Sequence, residues 1–140
     1  MTARHPLHGV VLLAVAVGGA VGAVLRHALS VGGADAAGFP WATFGINVVG
    51  AFLLGLLPAS AWVRRHPLLP PLLGTGVLGG FTTLSAWSEQ TRALTDAGEV
   101  VTAGVYAVGT VAACLAAVAL ADRFSTPSSR AEFDEEEGDL

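Results

Sequence analysis

Apolar residues run along this chain in four long blocks, at about residues 9–29, 41–63, 72–91 and 99–121. Each is close to the roughly 20 residues that an α-helix needs to cross the hydrocarbon of a bilayer. The predicted fold is therefore all-α and integral to a membrane, with four transmembrane helices in a domain spanning residues 1–121. The connections are short: residues 31–39 are rich in glycine and alanine, residues 64–71 hold two arginines and three prolines, and residues 93–98 are polar. Arg4 ahead of the first block resembles the start of a signal peptide, but the block is too long, and its glycine-rich half ends in Arg26. It is read as a membrane span. Residues 122–140 have too little apolar content to build a core and are expected to form a disordered acidic tail.

Within the blocks, small residues recur at helical spacing, Gly18 with Gly22 and Gly76 with Gly80. Such pairs let helix backbones approach closely in lipid, within one subunit or between two. The third block also carries Gly79-Gly80-Phe81-Thr82-Thr83. Two glycines followed by two β-branched threonines disfavour a regular helix. One reading is a broken helix, whose freed carbonyls can hold a cation where they are buried in protein. The other is a glycine-lined packing site.

Composition agrees with a membrane setting. Hydrophobic residues make up 53% of the chain and charged residues only 13%, against about 25% charged in soluble domains. The formal charge of -4 is uneven, because six of the eleven acidic residues lie between Glu132 and Asp139, and the seven basic residues are all arginine. No basic stripe with interleaved aromatics is present, so nucleic acid is not an expected partner. Cys114 is the single cysteine and reads as a small apolar residue. The four histidines are scattered near block ends without metal-ligand spacing.

Polar groups deep in the blocks are few, and each must find a partner or face a cavity. They are Asn47, the hydroxyls of Thr82, Thr83, Ser85 and Ser88, and Tyr106 with Thr110. Tyr106, Thr110 and Cys114 share one helix face, as do Asn47, Gly50, Ala51 and Leu54. No Asp, Glu or Lys lies in the middle of a block. Proton-coupled pumps and many cation pores rely on such acids. Donors without carboxylates suit an anion, whose dehydration costs on the order of tens of kcal/mol unless hydrogen bonds replace the water.

GTGVLGGFTTLSAWS (residues 74–88) resembles the third-helix pattern of the Fluc (CrcB-type) fluoride channels, a glycine pair followed by T-T-F-S-T-F-S. GGAVGAVLRH (residues 18–27) is similar to that family's first-helix motif, and FPWATFGINVVGAFLLGLL (residues 39–57) to its second helix. The resemblance extends over residues 18–121. It implies an antiparallel dimer of four-helix subunits that conducts fluoride passively out of the cell, with two pores along the interface and no catalysis. It implies a structural sodium ion held by the backbone carbonyls of Gly79 and Thr82 at a break in the third helix. It assigns the fluoride pathway to Asn47, Ser85, Tyr106 and Thr110, and a pore vestibule to Arg26. The family's paired pore phenylalanines fall on Leu84 and Trp87, and the threonine between them is Ala86.

Four spans would put both termini and the Arg64-Arg65 loop on one side, together with Arg4, Arg123 and Arg130, leaving Arg26 and Arg92 on the other. The positive-inside rule then predicts cytoplasmic termini in a plasma membrane. A subunit with such a fixed orientation would pair with an oppositely oriented paralogue that supplies intact phenylalanines. Two other functions fit four helices: a small proton-coupled multidrug exporter, which needs an acid that the first block lacks, and a nonconducting scaffold subunit of a heterodimeric channel.

Overall fold

The structure, a computed structural model, describes residues 6–32, 38–127, 129 and 131, giving only the backbone of residues 6–8 and 32. Every regular element among them is helical. We number these α1 (Pro6–Gly32), α2 (Trp41–Leu56), α3 (Ala61–Arg64), α4 (residues 71–81), α5 (Leu84–Asp96) and α6 (Val100–Ala121). Among the described residues, three stretches are long and apolar enough to cross a membrane: Gly9–Val31, Trp41–Ala59 and Val100–Phe124.

The second block is not one helix to residue 63. Pro58 has no N–H to continue the ladder, and α2 gives way to a 3₁₀ turn over Leu57–Ala59. Ser60 then caps the short α3, its Oγ accepting from Val63 N. The third block is divided more sharply. Pro71–Leu78 is wound as a wide π-helix, with Gly79 N–H reaching back to Gly74 O, and it runs into one α turn, Gly79–Phe81. The chain extends through Thr82 and Thr83, and α5 begins at Leu84.

α1 packs along α4, and α2 along α6. The first contact is backbone against backbone. A Cβ on Gly18 would strike Leu72 O, one on Gly22 would strike Val77 O and lie 2.8 Å from Phe81 N, and one on Gly80 would strike Gly19 O. The small-residue pairs thus serve packing inside one subunit. The contact advances in the same sense on both helices, so α1 and α4 run in the same direction. At the far end of α5, Gly98 adopts φ +82°, with Gly98 N–H bonded to Thr95 O and Glu99 N–H to Leu94 O. That paired cap turns the chain back into α6.

The outer faces of α1 and α6 are apolar and exposed, as at Leu12, Val24, Val101 and Leu115. Lipid, as apolar as these side chains, covers such faces without penalty. The interior is small and includes Ile46, Phe81, Tyr106 and Thr110.

A 3₁₀ turn spans Asp122–Phe124, where the acidic tail is expected to begin, and a reciprocal pair of hydrogen bonds lies beyond it. Thr126 N–H donates to Ser129 Oγ at 3.0 Å, and Ser129 N–H to Thr126 Oγ1 at 3.2 Å. Arg4, Arg130, most of the connection at residues 31–39 and the acidic stretch 132–140 lie outside the described residues.

Candidate functional site

The break between α4 and α5 is held by side chains from two other helices, α2 and α1, and by two threonines of its own. Asn47, in the middle of α2, grips Thr83 with both ends of its amide: Oδ1 accepts from Thr83 N at 2.8 Å and Nδ2 donates to Thr83 O at 3.0 Å. The flip of the amide is set by this pairing, since the reverse would face donor to donor and acceptor to acceptor. Arg26 of α1 donates from Nε to Gly80 O at 3.1 Å. Thr83 itself caps α5, its Oγ1 accepting from Ala86 N at 3.1 Å. Thr82 Oγ1 donates back to Leu78 O at 2.9 Å.

An unbroken α-helix would send the N–H of each residue to the carbonyl four positions earlier. Thr83 N–H would go to Gly79 O, but Asn47 takes it. Ala86 N–H would go to Thr82 O, but the Thr83 hydroxyl takes it. Gly80 O, between them, receives Arg26 in compensation. The extended break withdraws helical donors from the carbonyls of Gly79, Gly80, Phe81 and Thr82, and the resemblance implies that Gly79 and Thr82 are the two that hold the ion. Unwound carbonyls of this kind suit a monovalent cation such as sodium, so the two residues fit the ion that the resemblance implies.

Beside the break lies an open groove of about 390 Å³ whose lining includes Asn47, Gly79, Thr82, Leu84, Trp87 and Thr110. Gly50, Ala51 and Leu54 extend the same face of α2 along it, and Cys114 does so on α6. Gly50 is required here, since a Cβ would collide with the Thr82 methyl. Among the described residues, no carboxylate lines the groove.

The remaining site residues divide. Ser85 is exposed outside the groove lining, its Oγ 3.2 Å from Thr83 Oγ1. Tyr106 is fully buried, and its hydroxyl donates to Gln90 Oε1 at 2.8 Å. Thr110 reaches the groove, but its hydroxyl donates to Tyr106 O at 2.6 Å. The polar face expected on α6 is present, with its donors turned into the protein. Arg26 is tied to the break through Gly80. Leu84 is 75% exposed and offers only aliphatic carbon. Trp87 Nε1 is buried with no hydrogen-bond partner among the described residues. That indole N–H and the second N–H of Asn47 are donors in the groove-lining side chains to which no described bond is assigned.

Sequence reasoning missed two participants. Thr83 was visible only as a polar residue, although a threonine just ahead of Leu-Ser-Ala is also a capping signal. Gln90 carried no signal at all. Beyond them, exposed Arg92 pairs with Glu89 at 2.6 Å and with Asp96.

Comparison with known proteins bears on this geometry. The sequence model of the family described as CrcB-like protein, Camphor Resistance (CrcB), matches residues 13–121. A protein of Nocardia farcinica named fluoride-specific ion channel FluC 2 is 44% identical over 132 residues, covering 89% of this chain and 94% of its own. FluC of Novosphingobium aromaticivorans is 47% identical over 107 residues, covering 71% and 82%. FluC 1 of Streptomyces coelicolor is 43% identical over 114 residues, covering 79% and 74%. These relatives are named as channels and not as enzymes. With its apolar helices, its broken segment and a match across most of its length, the chain is a multi-pass membrane protein of the CrcB-like family.

Proposed function

We propose that this chain is one subunit of a fluoride-selective channel that lowers cytoplasmic fluoride by passive efflux across the plasma membrane. The observation that carries the reading is the Asn47–Thr83 clamp at a break in a helix, on the wall of a groove without carboxylates. The names of the relatives support fluoride as the ion. A dehydrated anion needs donors in place of water, and Asn47 and Trp87 retain N–H groups for that purpose.

α4 and α5 together form the third of four crossings, a reading supported by the shared direction of α1 and α4. The groove is open along one side, and a second four-helix subunit in antiparallel orientation closes it. A structural sodium ion at the dimer centre is held by Gly79 O and Thr82 O, and supplies positive charge that fixes the break without being transported. The excess of arginine on one side supports cytoplasmic termini and a partner that is an oppositely oriented paralogue.

Leu84, at a position where the resemblance expects an aromatic edge, and the inward-turned hydroxyls of Tyr106 and Thr110 favour a second reading, a subunit that conducts only with its partner. Fluoride efflux from liposomes separates the two. Efflux from the chain alone establishes an autonomous channel, and efflux only after the paralogue is added establishes a dependent subunit. No efflux in either case, beside an active relative, overturns the fluoride reading.

A further inference from the structure

Resting on the proposed sodium site, we infer that Asn47 and the Thr83 hydroxyl are positioning residues for that site: they hold Gly79 O and Thr82 O open by taking the two N–H groups that would otherwise close them. Neither side chain needs to touch the cation. Thr83 N–H lies 2.8 Å from Asn47 Oδ1, and Ala86 N–H lies 3.1 Å from Thr83 Oγ1. Both acceptors are side-chain oxygens, so substitution can remove them while every backbone carbonyl that supplies a ligand is retained.

The competition is between two backbone conformations. Thr82 and Thr83 are extended, and if the break wound into helix the Ala86 N–H would meet Thr82 O, its regular α-helical partner. In the same winding the Thr83 N–H would meet Gly79 O. A buried N–H seeks whichever acceptor is in reach, and a carbonyl that gains such a donor binds a cation less well. The ligand carbonyls are then as available as two side chains on α2 and α5 make them. Because Asn47 also lines the groove, the same amide links the cation site to the ion path.

The test uses the purified full chain in detergent, with sodium chloride titrated against N-methylglucamine at fixed ionic strength. The readout is the thermal midpoint as a function of sodium. In the unsubstituted protein a saturable rise is expected. Thr83→Val deletes the acceptor and keeps the branched shape, and should raise half-saturating sodium about three- to tenfold. Thr83→Ser keeps the acceptor and should restore the original value. Asn47→Leu should produce a rise of similar size through Gly79.

A general loss of packing would lower the midpoint equally at zero and saturating sodium, leaving half-saturation unmoved, and that result overturns the inference. So does Thr83→Ser behaving as Thr83→Val does. If Thr83→Val does not fold, Asn47→Leu with unshifted half-saturation overturns it alone. Absence of any sodium response in the unsubstituted protein removes the cation reading itself, and this inference with it.

Discussion

At the scale of single residues, hydrogen-bond partners decide what each polar group can still do. Asn47 spends one N–H and its carbonyl on Thr83 and keeps one N–H. Asn47→Asp preserves the acceptor for Thr83 N–H but removes both donors and adds negative charge beside the groove. Fluoride efflux, alone or with the partner subunit, should fall at least about tenfold in liposomes, since like charge in a poorly screened site repels an anion strongly. The sodium-dependent midpoint should persist, because Gly79 O remains open. Trp87→Phe keeps a ring and removes only the indole N–H, so a loss of about tenfold in efflux is expected if that donor serves the anion. Unchanged efflux would take the indole N–H out of the path. Asn47 was legible in the sequence as the one amide in the middle of a block. Its grip on Thr83 was not, because which backbone it meets depends on how α2 lies against the break. The same limit applied to Tyr106 and Thr110: their shared face follows from i, i+4 spacing, but the inward aim of their hydroxyls comes from Gln90 and from the helix's own carbonyl.

At the scale of elements, glycine placement sets how closely α1 and α4 meet. Gly22→Ala places a methyl against Val77 O and near Phe81 N. Backbone cannot yield as a side chain tip can, so overpacking of about 1–3 kcal/mol is expected. It should appear as a lower thermal midpoint in detergent with little change in half-saturating sodium. Gly9→Ala, with nothing near its Cβ, is the neutral control. Block length and apolarity made the first and last helices plain in the sequence, and the residue types at Gly79 through Thr83 marked the interruption of the third. The end of α2 at Leu56 lay hidden in an apolar run, although Pro58 was its cause. The π winding of Pro71–Leu78 left no periodic trace, because its residues are apolar or small all round.

At the scale of the whole molecule, the exposed apolar faces of α1 and α6 are suited to lipid, and the open groove lined from α2, α4, α5 and α6 is where the proposed partner subunit would sit. The arginine distribution gives this scale its prediction. Expressed alone in cells, with reporter tags at both termini, the protein should label from the cytoplasmic side at both ends. Equal labelling from the two sides would remove the fixed orientation and, with it, the need for a paralogue of opposite sense.

The backbone contact between α1 and α4 has a consequence for biosynthesis. A segment interrupted by Gly79-Gly80 and two extended threonines is a poor candidate to enter hydrocarbon unaided, since its loosened peptide groups need partners there. α1 emerges from the ribosome first and offers both a glycine track for docking and, in Arg26, a donor for Gly80 O. α1 is made before α4, so damage to that glycine track is expected to impair membrane insertion of the interrupted segment as well as its packing.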